Sequence, residues 1–119
     1  MTGEPNPIGQ IEVSPHAIAT IAGRAVLQSY GVVGMASKNV VDNLANLIAR
    51  DPRHGVEVLV EGDDITINLY IVVEYGTRIS SVANSAANTV RFHVEQALGR
   101  PVGDINVHVQ GLRVSNTDV

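Results

Sequence analysis

Between Ile65 and Val73 the apolar residues Ile65, Ile67, Leu69, Ile71 and Val73 alternate with Thr66, Asn68, Tyr70 and Val72. A period of two predicts a strand with one face in a core. Past Glu74-Tyr75-Gly76-Thr77 the period changes, and Ile79, Val82, Ala83, Ala86, Val90, Val94, Ala97 and Leu98 recur at three and four residues. That spacing is the stripe of an amphipathic helix. Thr77 is the predicted N-cap, Gly99 suits a left-handed C-cap, and Pro101 forbids continuation.

The flanking segments extend this unit. Ser14-Pro15 announces a helix, with a serine cap and a proline where the missing amide costs nothing. Its apolar stripe is Ile18, Ile21, Ala22 and Ala25, and Gly23 in mid-helix implies close approach to a neighbouring backbone. Ile11 and Val13 flank Glu12 as a short alternating run. Gly31 to Ala36 is an apolar segment too short for a helix and reads as a short strand or buried extended piece. Val40, Val41, Leu44, Leu47 and Ile48 have helical spacing after Asn39, and Asp51-Pro52 ends that helix. Val56, Val58 and Val60 predict a second strand, joined to the long one by a tight turn at Gly62-Asp63. Ile105, Val107 and Val109 alternate with Asn106, His108 and Gln110 as a last strand.

The implied architecture is α+β, a small mixed sheet of three to four strands with two main helices packed on one face. Residues 11–114 form the expected single domain, between flexible tails at 1–10 and 115–119. Length alone allows one domain with one core. With aromatics limited to Tyr30, Tyr70, Tyr75 and Phe92, that core is aliphatic.

Eight Lys plus Arg against 12 Asp plus Glu give a net charge of −4, which offers no general attraction to nucleic acid or anionic lipid. The chain has no cysteine, so disulfides, thiolate nucleophiles and cysteine zinc sites are all absent. No stretch approaches the ~18 apolar residues of a membrane span, and no basic leader precedes an apolar run. The expected place is the cytoplasm, with no direct membrane insertion.

Chemistry has few candidates. His16, His54, His93 and His108 have no second ligand at a familiar spacing, and none is read as a metal site. Ser14, Ser80, Ser81 and Ser85 lack a nucleophile-elbow context, and Asp63-Asp64 is turn chemistry. No catalytic residue and no cofactor site is expected. Gly31-Val32-Val33-Gly34 spells the GxxG with which KH domains clamp a nucleic-acid backbone, which makes an RNA-binding module the alternative reading. The turn Tyr75-Gly76 with Arg78 is a candidate anion contact at a helix N-terminus. The outward face of the sheet mixes polar residues with Leu59, Tyr70, Val72 and His108, the expected interaction surface.

Three segments together resemble a known family: SPHAIATIAGRAVLQSYGVVGMASKN, then GVEVLVEGDDITINLYIVVEYGTRISSVANSAANTVRFHVEQALG, then INVHVQGLRV. They are similar to the alkaline-shock or envelope-stress-response proteins, in particular to a compact housekeeping branch without long extensions. The resemblance implies a non-enzymatic interaction or scaffold protein in cell-envelope homeostasis of bacteria. It further implies self-association, attachment at the inner face of the membrane through an integral-membrane partner, and a link to fatty-acid kinase or acetyl-CoA carboxylase.

Overall fold

The computed structural model describes residues 13–36 and 54–114. Along them run helix α1 (Pro15–Leu27), strands β1 (Val32–Met35), β2 (Val56–Glu61) and β3 (Asp64–Glu74), helix α2 (Ile79–Leu98) and strand β4 (Ile105–Arg113). The predicted α+β class holds, and the sheet is mixed. β3 pairs antiparallel with β1 and β2 and parallel with β4. A parallel neighbour needs a crossover, and α2 supplies it by carrying the chain back along β3.

β4 occupies one edge of β3 from Ile67 to Glu74, so β1 and β2 share the other edge end to end. They meet at Tyr70. Its N–H donates to the Gly55 carbonyl at 2.8 Å, and its carbonyl accepts from the Ala36 N–H at 2.9 Å. Gly55 sits in the left-handed region with φ +83°, where an added Cβ would lie 2.5 Å from the Ala36 oxygen. The junction therefore requires glycine.

Ile67, Leu69, Ile71 and Val73 point from β3 into one core with Ile18, Ala22 and Val26 of α1 and Val82, Ala86, Val90 and Val94 of α2. Each fully buried large side chain contributes roughly 1.5 to 3 kcal/mol. The small residues Ala19, Ala22 and Gly23 lie on the buried side of α1. Gly31, at φ +85°, lies so close to α2 that a Cβ would meet the Val82 Cγ2 at 2.6 Å.

The caps follow the sequence at three ends and depart from it at one. The Ser14 Oγ accepts from the Ala17 N–H at 3.1 Å, Gly99 ends α2 at φ +75°, and Gly62-Asp63 is the two-residue turn between Glu61 and Asp64. Thr77, however, does not cap α2. Its hydroxyl donates to the Glu74 carbonyl at 2.7 Å, and the helix starts two residues later with Arg78 in the cap position and no side-chain cap.

Val60, expected in the core by alternation, is 46% exposed near the hairpin tip. There it lines an open cleft with Val13, Ile18, Ile65 and Leu98. β4 runs beyond the predicted Gln110 to Arg113 because a bulge leaves Gln110 without a rung: Val109 faces Ile71 and Gly111 faces Val72. Val13 belongs to no strand. Ile11 and Glu12, the helix expected from Val40 to Arg50, and the tails 1–10 and 115–119 lie outside the described residues.

The connection from α2 to β4 is clasped by two side chains the sequence reading passed over. The Arg91 guanidinium donates to the Val102 carbonyl at 2.8 Å and the Gly103 carbonyl at 3.0 Å, while the Glu95 carboxylate accepts from the Val102 N–H at 2.9 Å. Arg91→Leu is expected to lower stability by about 1 to 2 kcal/mol, since two carbonyls lose a charged donor. Urea unfolding measures this, and a loss within a few tenths of wild type would show that water replaces the clasp.

Candidate functional site

The outer face of the sheet, opposite the helices, is built rung by rung. On the first rung the Asn68 Nδ2 donates to Glu57 Oε1 at 3.1 Å and the Asn106 Nδ2 donates to Asn68 Oδ1 at 3.0 Å. One ladder thus crosses β2, β3 and β4. On the next outward rung Tyr70 and His108 stack with ring centroids 4.6 Å apart and planes inclined by 11°. At the far end the Arg113 guanidinium lies 3.5 Å from a Glu74 carboxylate oxygen. Leu59, opposite Thr66 on β2, is 48% exposed.

Of the four residues expected on this face, Leu59 and His108 are exposed, whereas Tyr70 is 9% and Val72 1% exposed. Direction along a strand follows from alternation, but on a central strand it does not decide accessibility. Tyr70 is flanked by the β1–β2 junction on one side and stacked by His108 on the other. The accessible features are therefore Leu59, His108 and the amide ladder.

In the candidate anion turn two backbone donors are engaged within the fold. The Tyr75 N–H donates to the Arg113 carbonyl at 2.8 Å and the Thr77 N–H to Glu74 at 3.3 Å. Gly76 adopts φ +97°, and the side chains of Tyr75 and Arg78 are exposed. Gly31 to Gly34 is no loop between helices. Gly31 is a turn residue, Val32 begins β1, and Val32 is buried. The geometry a KH clamp needs is missing there, and nothing in the segment supports the nucleic-acid reading.

The histidines do not assemble. His93 on α2 approaches the Thr89 carbonyl through Nδ1 at 2.9 Å and stands edge-on to Phe92, whereas His108 faces outward across the sheet. His16 sits at the exposed start of α1, and His54 precedes β2. Among the described residues no three His, Cys, Asp or Glu side chains stand close enough to hold a metal ion.

The pattern of the alkaline shock protein twenty-three family, described as having a cell envelope-related function, matches residues 3–114. The chain belongs to that family. It is 44% identical over 110 residues to YloU of Bacillus subtilis (strain 168), covering 91% of this chain and 92% of that one. It is 37% identical over 109 residues to Spy1614 of Streptococcus pyogenes serotype M6, covering 89% of each. YqhY of Bacillus subtilis is a more distant relative, at 29% identity over 113 residues, covering 95% of this chain and 84% of YqhY. Among solved structures, a zinc form of MamM CTD is 16% identical with a TM-score of 0.49, covering 85% of this chain and 86% of that one. The chain is thus a member of a family with a cell envelope-related function, and no helix among the described residues is long and apolar enough to cross a membrane.

Proposed function

We propose that this member of the family acts as a non-enzymatic interaction module, with the outer sheet face as its contact surface. The observation that carries this reading is the Tyr70–His108 stack beside the Glu57–Asn68–Asn106 ladder. These side chains are already fixed by one another, so a partner that docks on them meets little of the ordering cost that weakens contacts through free side chains. Leu59 supplies an apolar anchor next to that polar strip.

The family resemblance favours self-association in the cytoplasm near the inner surface of the membrane, and the exposed Leu59 and His108 make this face its proposed site. An integral-membrane anchor protein, and a regulatory tie to fatty-acid kinase or acetyl-CoA carboxylase, are further partners consistent with it.

Sedimentation velocity of the wild type and of Leu59→Glu and His108→Glu tests the surface. Wild type is expected to self-associate, and each variant to do so at least about tenfold more weakly with an unchanged melting temperature. Variants that sediment like wild type, or a wild type that stays monomeric at high concentration, would remove self-association through this face.

A further inference from the structure

A second surface, apart from the sheet face, lies at the end of the molecule where β3 finishes. Nine large hydrophobic side chains are exposed among the described residues, and five of them, Tyr30, Tyr75, Ile79, Leu112 and Val114, belong to segments that converge there. The convergence is fixed by backbone contacts. The Glu74 N–H donates to the Gly31 carbonyl at 2.9 Å, which sets Tyr30 beside the end of β3. The Tyr75 N–H donates to the Arg113 carbonyl, which sets Leu112 and Val114 on the other flank. Ile79 opens α2 four residues after Tyr75.

Charge is distributed to match. Arg24 in the last turn of α1, Arg78 at the start of α2 and Arg113 at the end of β4 stand at this end, with Glu74 the sole described carboxylate among them. Glu61, Asp63, Asp64, Glu95 and Asp104 lie toward the hairpin end, with Arg91 and Arg100. Among the described residues this end thus carries three arginines to one carboxylate, Glu74, which pairs with Arg113, and the acidic residues gather toward the other end.

We infer that this tip rests directly on an anionic lipid surface. Tyrosine rings favour the headgroup region, where one end is apolar and the other wet. Ile79, Leu112 and Val114 would enter the acyl boundary, and the arginine guanidiniums would pair with lipid phosphates as planar forks. Charge complementarity argues for this occupant, because an excess of arginine over carboxylate among the described residues of the tip is drawn to an anionic bilayer surface. This contact goes beyond the expectation, drawn from the missing apolar span and from the family resemblance, that a membrane is met only through a partner.

Flotation of the full-length protein with phosphatidylglycerol/phosphatidylcholine vesicles, against pure phosphatidylcholine, tests the inference. Wild type is expected to float with the anionic vesicles at low salt and to be released at high salt. Ile79→Asp combined with Tyr75→Ser should weaken partition at least about tenfold. The aspartate stands in the first turn of a helix, where a negative charge is favourable, so the fold is kept, which circular dichroism verifies. Leu59→Glu, on the sheet face, should float like wild type, so the two surfaces are read separately. No flotation with anionic vesicles at low salt, or equal flotation of the folded double variant, would overturn the proposal. So would a double variant that loses self-association while wild type ignores vesicles, since the tip would then be an interface between copies.

Discussion

Gly55→Ala is expected to lower stability by about 3 kcal/mol, combining the left-handed conformation with a backbone clash. This corresponds to a fall of about 10 °C or more in melting temperature for a domain of this size. The new Cβ would stand 2.5 Å from the Ala36 carbonyl oxygen and 2.9 Å from that of Tyr70. The Tyr70 oxygen accepts from the Ala36 N–H, so it cannot retreat without loosening the bond that holds the end of β1 to β3. Gly62→Ala separates the two contributions. Gly62 also has positive φ, at +61°, but nothing lies within 4 Å of its added Cβ, so it should lose only about 1 kcal/mol. Thermal unfolding of both variants gives the comparison, and equal losses would show that the junction yields to an extra methyl group.

Leu69→Asp is expected to abolish the cooperative transition altogether, whereas Leu59→Asp on the neighbouring strand should stay within about 0.5 kcal/mol of wild type. Leu69 is fully buried, and an unpaired carboxylate there must either remain charged in an apolar core or take up a proton at a cost of several kcal/mol. Leu59 sits opposite Thr66 on the outer face and is half exposed. The contrast tests the register itself, because a slip of one residue between strands would exchange inward and outward positions. Far-ultraviolet circular dichroism with urea titration measures both. A folded Leu69→Asp protein, or an unfolded Leu59→Asp one, would contradict the pairing.

Local signals in the chain were legible wherever one residue type had a backbone task. The alternation of Ile65 to Val73, the Gly62-Asp63 turn, the Ser14-Pro15 helix start and the Gly99 cap all lie where the periodicity and cap rules put them. Thr77 misled because its hydroxyl had two possible acceptors or donors nearby, and the turn at Glu74 took it. The contents of the outer face were legible as directions but not as exposures: Tyr70 and Val72 point outward yet are buried. The Arg91 clasp joins residues 11 and 12 positions apart, and the apolar tip joins segments from α1 to β4. Nothing in local periodicity reports such distant meetings. The bulge at Gln110 escaped for a related reason, since its two-for-one count exists only relative to β3.

The meeting of β1 and β2 at Tyr70 has one more consequence. Ala36 and Gly55, far apart along the chain, are tied to the two polar groups of a single residue. One residue of β3 thus fastens two strands at once, so a proline there would free the Gly55 carbonyl while leaving the Ala36 bond in place.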